Sequence, residues 1–105
     1  MITIDEFLLT FRSKNTKTGY RLSLQQYFEF LSITPENYFN ETRKYQTDIM
    51  RYIEHMEQRG LCDKSIIAKM GAVRSYLADN GVELPRRFWR RLKFSSVPMT
   101  SVMTI

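Results

Sequence analysis

The residues between Asp63 and Gly81 predict one amphipathic helix, and this helix constrains the fold more than any other part of the chain. Its apolar side chains recur at i, i+4, i+7 and i+11, in the order Ile66, Met70, Val73 and Leu77. That spacing places them on one helical stripe, which must be buried against other elements. Asp63 is predicted to cap the start of the helix, and Asn80 with Gly81 to end it.

The opposite side of this helix combines small side chains with a basic start. The small residues are Ala68, Gly71, Ala72 and Ser75, and the first turns carry Lys64, Ser65 and Lys69. Small side chains let another backbone come close, and lysines favour a backbone that carries phosphate. Two interpretations stay open at this point: a phosphate-bearing ligand lies on this side, or a neighbouring helix packs tightly against it.

Two other long helices carry apolar stripes of the same kind. One is expected from Asn15 or Thr16 to about Leu31, and its core face consists of Tyr20, Leu24, Tyr27, Phe28 and Leu31. The other is expected from about Tyr45 to Gln58, and its core face consists of Ile49, Tyr52, Ile53 and Met56. Acidic residues occupy the exposed side of this last helix, so that side should point away from a polyanion.

The remaining elements are short. Thr3 and Glu6 fit a capping box for a first helix that fades around Ser13. Residues 32–43 are predicted to be a connector, because Pro35 breaks a helix and asparagines favour turns. Pro85 can open a short fifth helix, whose anchors are Phe88, Trp89 and Leu92. The predicted fold class is therefore all-α, with four helices and a short fifth helix at the C-terminal end.

Little in the composition supports catalysis or metal binding. The chain has one histidine and one cysteine, His55 and Cys62, which do not form a metal-site spacing. No glycine-rich phosphate loop is present, and the carboxylates are scattered. We therefore expect no cofactor. No apolar run reaches the ~18 residues of a membrane span, and the acidic N-terminus is unlike a signal peptide, so the expected location is the cytoplasm.

Positive charge is concentrated in two places. The net charge is +5, yet residues 1–81 hold 11 basic and 10 acidic residues, whereas residues 82–105 hold five basic residues and one acidic residue. These five are Arg86, Arg87, Arg90, Arg91 and Lys93. The second place is a helical stripe formed by Lys14, Thr18, Arg21 and Gln25, which has no acidic residue until Glu29. Such clusters favour a nucleic-acid partner.

The order of these segments resembles a known family. NTKTGYRLSLQQYFEFL (residues 15–31), TDIMRYIEHMEQRG (47–60) and RGLCDKSIIAKMGAVRSYLADNG (59–81) are similar to three helices of the N-terminal SAM-like, or core-binding, domain of tyrosine recombinases of the phage integrase family. The resemblance covers about residues 3–93. Residues 94–105 lie where the linker to the catalytic domain runs in that family, which favours a piece of a longer recombinase over a stand-alone relic.

The resemblance implies a small SAM-like orthogonal bundle that forms half of a clamp on double-stranded DNA during DNA integration or recombination. It implies DNA contacts from the helices that begin near residues 15 and 63. The DNA-binding set carried over is Lys14, Asn15, Lys17, Thr18, Arg21, Gln25, Lys64, Ser65, Ala68 and Lys69. The implied partners are DNA, the catalytic domain of the same recombinase and other recombinase protomers on DNA, which would place the protein at the nucleoid.

The resemblance does not extend to the catalytic residues. The family's catalytic domain uses a His-x-x-Arg motif, and the only histidine here stands in His55-Met56-Glu57-Gln58. We therefore expect that this chain cannot cut or join DNA by itself. Two other interpretations stay open: a helical protein-protein interaction module, and a helix-turn-helix regulator in which RGLCD is the turn. An independent enzyme is the least favoured.

Overall fold

Six helices make up the computed structural model, which describes residues 1–40 and 42–95, with backbone alone from residue 91. They are α1 (Ile4–Leu8), α2 (Lys14–Leu31), α3 (Pro35–Asn40), α4 (Tyr45–Gln58), α5 (Asp63–Asp79) and α6 (Arg86–Ser95). No strand occurs among these residues, and the predicted all-α class is confirmed. α6 includes Phe94 and Ser95, which were predicted to belong to the linker, and the rest of that linker lies outside the described residues.

Side chains from just outside the helices satisfy the first amides of α1 and α2. Thr3 and Glu6 form the predicted capping box: the Glu6 amide donates to the Thr3 hydroxyl at 3.1 Å, and the Thr3 amide donates to the Glu6 carboxylate at 2.9 Å. Ser13 caps α2 by accepting from the Thr16 amide. α2 therefore begins at Lys14, one residue before the predicted start.

The start of α5 differs from the prediction. Cys62, and not Asp63, is the N-cap residue, and its side chain makes no capping hydrogen bond. Asp63 is the first helical residue, where its carboxylate still interacts favourably with the positive end of the helix dipole. The predicted end is confirmed: Asn80 is the C-cap, and Gly81 adopts the left-handed conformation with φ of 85°.

The predicted connector between α2 and α4 contains a helix, α3. Thr34 caps it, since its hydroxyl accepts from the Asn37 amide at 3.3 Å and its carbonyl from the Tyr38 amide at 2.9 Å. Pro35 stands at the first helical position, where its fixed φ favours a helix and its missing N–H costs nothing. α2 ends with its C-cap Ser32, which adopts the left-handed conformation with φ of 56°. Pro35 therefore starts α3, and the connector prediction was wrong for residues 35–40.

Aromatic side chains form the centre of the core. Tyr27, Tyr38 and Tyr76 have no exposed surface, and each still has a partner for its hydroxyl. The hydroxyls of Tyr27 and Tyr38 lie 2.8 Å apart, and the Tyr76 hydroxyl donates to the Ile2 carbonyl at 2.7 Å. All of the predicted core residues of α4 and α5 are buried, so the sequence periodicity identified these inner faces correctly.

The two longest helices, α2 and α5, form the main pairing of the bundle. Near the end of α2, the Lys69 ammonium donates to the Gln26 side-chain oxygen at 2.7 Å. Near the start of α2, the Phe7 ring packs against both Tyr20 and Tyr76, with centroid distances of 6.3 and 5.3 Å. The beginning of α5 therefore lies beside the C-terminal half of α2.

Candidate nucleic-acid interface

The predicted stripe of α2 is on its solvent side. Lys14, Thr18, Arg21 and Gln25 are all exposed, and their spacing of four, three and four residues places them on one face. Leu22 shares this face and leaves 52% of its surface exposed. Sequence reasoning missed Leu22, although an apolar residue outside the core pattern of a helix was the available signal. A leucine among polar groups can contact sugars or thymine methyl groups.

Arg21 is not free of acidic neighbours. Its guanidinium forms an ion pair with the Asp5 carboxylate of α1 at 2.7 Å. The two residues line a cleft of about 390 Å³ together with Gln25 and Glu36. The stripe carries no carboxylate between Lys14 and Gln25, and the first one along α2 is Glu29. Folding, however, brings Asp5 to the stripe from another helix. Both partners are substantially exposed, so an ion pair of this kind stabilises the fold by at most ~1 kcal/mol.

Lys17 lies apart from the rest of the α2 set. It is half-buried and stands three and seven residues before Tyr20 and Leu24, which places it on the side of the helix that faces the core. A lysine in such a position extends its aliphatic stem along apolar surface and keeps its ammonium in water. Among the predicted cations of α2, Lys14 and Arg21 are the ones with exposed positions on the stripe.

The start of α5 presents the second part of the predicted set. Lys64, Ser65 and Ala68 are exposed, and half-buried Lys69 reaches across to Gln26 of α2. Lys69 therefore joins the two helices at the surface where both contribute predicted residues. Gln26 was not among the predicted DNA-binding residues. Its contact with Lys69 depends on how α5 packs against α2, which the sequence around Gln26 does not show.

The sequence left two explanations for the small side chains of α5, tight helix packing or the approach of a phosphate-bearing ligand, and the structure assigns different residues to each. Ala72 has no exposed surface, so at this position the small side chain serves packing within the domain. Ala68 is exposed, and a Cβ built on Gly71 would meet nothing within 4 Å. Ala68 and Gly71 therefore keep open the side of α5 that points away from the core, and tight helix packing does not explain them.

The two halves of the predicted set do not form one compact cluster. Lys69 contacts Gln26 in the C-terminal half of α2, whereas Lys14 and Asn15 lie at the other end of that helix. Asn15 and Gln26 are separated by eleven helical positions, or ~17 Å at a rise of 1.5 Å per residue. This length equals about five base-pair steps of duplex DNA at 3.4 Å each.

Cys62 is exposed at the start of α5. Its sulfur lies 3.4 Å from the Ser65 hydroxyl. The Ser65 hydroxyl contributes most, followed by the nearby amides of Ser65 and Lys64, and together they hold the pKa of the Cys62 thiol below its ordinary value. The direction agrees with the expectation for a cysteine at a helix N-terminus. Among the described residues, no group of three His, Cys, Asp or Glu side chains could hold a metal ion.

The His55 side chain packs against a neighbouring aromatic ring. Its ring lies 4.8 Å from that of Phe30, and it borders a cleft of about 450 Å³ that also contains Lys69 and Arg59. The cleft opens beside the Lys69–Gln26 contact, so its cations belong to the same end of the α2–α5 pair.

Comparison with known proteins identifies the family. Residues 4–79 match the model of the phage integrase N-terminal SAM-like domain. No curated protein and no solved structure matches the chain significantly. None of the described helices is long and apolar enough to cross a membrane. The family match covers α1 to α5 and most of the chain, and the protein therefore belongs to the family of phage integrase N-terminal SAM-like domains.

Proposed function

We propose that this domain is the DNA-binding module of a site-specific tyrosine recombinase and that it holds duplex DNA near the strand-exchange site. One observation supports the proposal: α2, which carries the exposed cationic stripe, and α5, which has a basic start, are joined at the surface by the 2.7 Å contact between Lys69 and Gln26. A protein surface that combines cations from two helices with amides and hydroxyls suits a phosphate backbone and the base edges beside it.

The work of the domain would be positional. Lys14, Arg21, Lys64 and Lys69 neutralise phosphates, while Asn15, Gln25 and Ser65 offer hydrogen bonds to base edges. Residues 1–93 form the DNA-binding unit, and residues 94–105 lead to the catalytic domain that would cut and join DNA. The domain acts with that catalytic domain and with other protomers on DNA, and its proposed location is the nucleoid in the cytoplasm.

A titration of the isotope-labelled domain with a short random duplex tests this proposal by NMR at low and moderate salt. Chemical-shift changes should concentrate on residues 14–25 and 62–72 and fade as salt increases, because phosphate contacts release counterions. Changes confined to residues 86–93 would mean that the basic C-terminal helix binds alone. A complete lack of changes at low salt would favour the protein-interaction module.

The Arg21–Asp5 ion pair provides a sharper test with two opposed variants. Asp5→Asn removes a carboxylate 2.7 Å from the Arg21 guanidinium, so it should strengthen binding and steepen the salt dependence by up to ~0.9 in log K against log salt, the value for one phosphate contact. Arg21→Gln should do the opposite. Fluorescence anisotropy with a labelled duplex measures both.

A matched control is Glu54→Gln, which also removes one exposed carboxylate but from α4. If it strengthens binding as much as Asp5→Asn does, the effect comes from net charge alone and Arg21 is not a phosphate contact. A change in sequence preference with unchanged affinity in Arg21→Gln would also contradict the assignment, since a phosphate contact carries no base information.

A further inference from the structure

The cations at the start of α6 have no part in the surface described so far. Arg86, Arg87 and Arg90 are exposed, and none of them makes an ion pair with a described residue. Position 90 follows positions 86 and 87 by four and three residues, so the three side chains share one side of the helix. α6 contains no acidic residue. A cationic surface whose side chains form no ion pair with a described residue can bind an anionic ligand.

α6 is fixed to the body of the domain by its aromatic residues. Phe88 is 8% exposed and belongs to the core. Trp89 is half-buried, and the Arg74 guanidinium of α5 lies over its ring at 5.3 Å from the centroid, within the range of a cation–π interaction. These contacts set the rotation of α6 about its axis, so the arginines project from the domain in a defined direction.

The Arg74–Trp89 contact also shows where α6 lies relative to α2. On α5, Arg74 is five positions after Lys69, which places the two side chains about 140° apart around the helix axis at 100° per residue. Lys69 points to α2, whereas Arg74 points to α6. The ~140° arc between these two directions contains most of the buried residues of α5. Lys64 and Ala68 lie on the wider arc, so the exposed side of α5 has α2 on one flank and α6 on the other.

We propose that the basic side of α6 is a second phosphate-binding surface of this domain, so that a DNA backbone crosses the exposed side of α5 between two cationic borders. The proposal rests on the DNA-binding function proposed above and adds a contact outside the predicted set. Arg74 acts as a positioning residue, because it holds Trp89 and hence the direction of the arginines. These arginines would contribute affinity for any sequence, since phosphates carry no base information.

Three pairs of substitutions of equal charge test the second surface, each measured by the salt dependence of binding to a random duplex. Arg86→Gln combined with Arg90→Gln should make the slope of log K against log salt shallower by about 1.8, because two phosphate contacts at ~0.9 each are lost. The ratio of the affinity of the unchanged protein to that of the variant should therefore fall about twelvefold between 50 and 200 mM salt. Lys14→Gln with Lys64→Gln should have a similar effect through the first surface. Lys44→Gln with Arg51→Gln is the control, because both cations are exposed at or on α4.

Each outcome decides one of the two proposals. The double variant of Arg86 and Arg90 could behave like the α4 control while the double variant of Lys14 and Lys64 weakens binding. The proposal of a second phosphate-binding surface would then be wrong, and the arginines of α6 would instead face a protein partner such as the catalytic domain. If the α6 pair alone weakens binding, the α2–α5 assignment fails. If the unchanged domain does not bind DNA at low salt, the proposed function itself fails. Circular dichroism of each variant excludes loss of the fold.

Discussion

Replacing all five cations of the predicted set with glutamine should nearly abolish the salt-sensitive part of DNA binding by the α2–α5 surface. The five are Lys14, Lys17, Arg21, Lys64 and Lys69. The four of them that are proposed to contact phosphates, all except Lys17, correspond to a slope of about −3.6 in log K against log salt, so the unchanged domain should lose roughly 150-fold in affinity between 50 and 200 mM salt through these residues. Anisotropy titrations at several salt concentrations measure the slope of both proteins.

The structure ranks the five cations within this total. Lys14 and Lys64 are exposed, whereas Arg21 has to share its charge with Asp5, and Lys17 is half-buried beside the core. Single substitutions of Lys14 or Lys64 should therefore change the slope most. Equal effects of all five would show that the domain responds to net charge alone, and an unchanged slope in the fivefold variant would contradict a phosphate-binding role of this surface.

The periodicity of apolar residues predicted the inner faces of the helices well. Ile66, Met70, Val73 and Leu77 are buried as the 3.6-residue period requires. The predicted end of α5 is also confirmed, because glycine after the last turn is a local signal. Such features depend on residues that are close along the chain, so they can be predicted from a single sequence.

The misplaced or missing features depend on contacts between distant residues or on competing local signals. Asp5 reaches Arg21 from another helix, and no spacing along α2 could reveal that approach. The proline at position 35 could either break a helix or start one, and the Thr34 cap decided for a start. The separation of Lys14 from the Lys69–Gln26 contact follows from where α5 packs along α2, which a list of amphipathic stripes does not contain.

Above about pH 10, the domain should lose stability steeply as the pH rises. Burial raises the pKa of Tyr27, Tyr38, Tyr52 and Tyr76, and that of Tyr76 reaches about 12. An unfolded tyrosine titrates near 10, so between pH 10 and the folded pKa the unfolded chain releases protons that the native state retains. Stability is therefore fully present below pH ~10 and falls above it, by about 1.4 kcal/mol per pH unit for each such tyrosine.

The tyrosine pair of the core supplies the decisive variant for this prediction. The hydroxyls of Tyr27 and Tyr38 are each other's partner at 2.8 Å, so replacing both residues with phenylalanine should be nearly neutral at pH 7. Tyr38→Phe alone leaves the buried Tyr27 hydroxyl unpaired and should cost ~1–3 kcal/mol. The double variant should also reduce the loss of stability above pH 10 by about 2.7 kcal/mol per pH unit, because two titrating groups are gone.

Urea unfolding followed by circular dichroism, at pH values from about 8 to 11, measures both effects. Tyr20→Phe is the matched control: the same hydroxyl is removed from a half-buried ring that lies outside the Tyr27–Tyr38 pair. It should leave the alkaline slope close to that of the unchanged domain. If the double variant loses stability with pH as steeply as the unchanged protein, Tyr27 and Tyr38 reach solvent without unfolding. The close packing of α2 against α3 would then be wrong, and with it the fixed position of the α2 stripe on which the proposed DNA contacts depend.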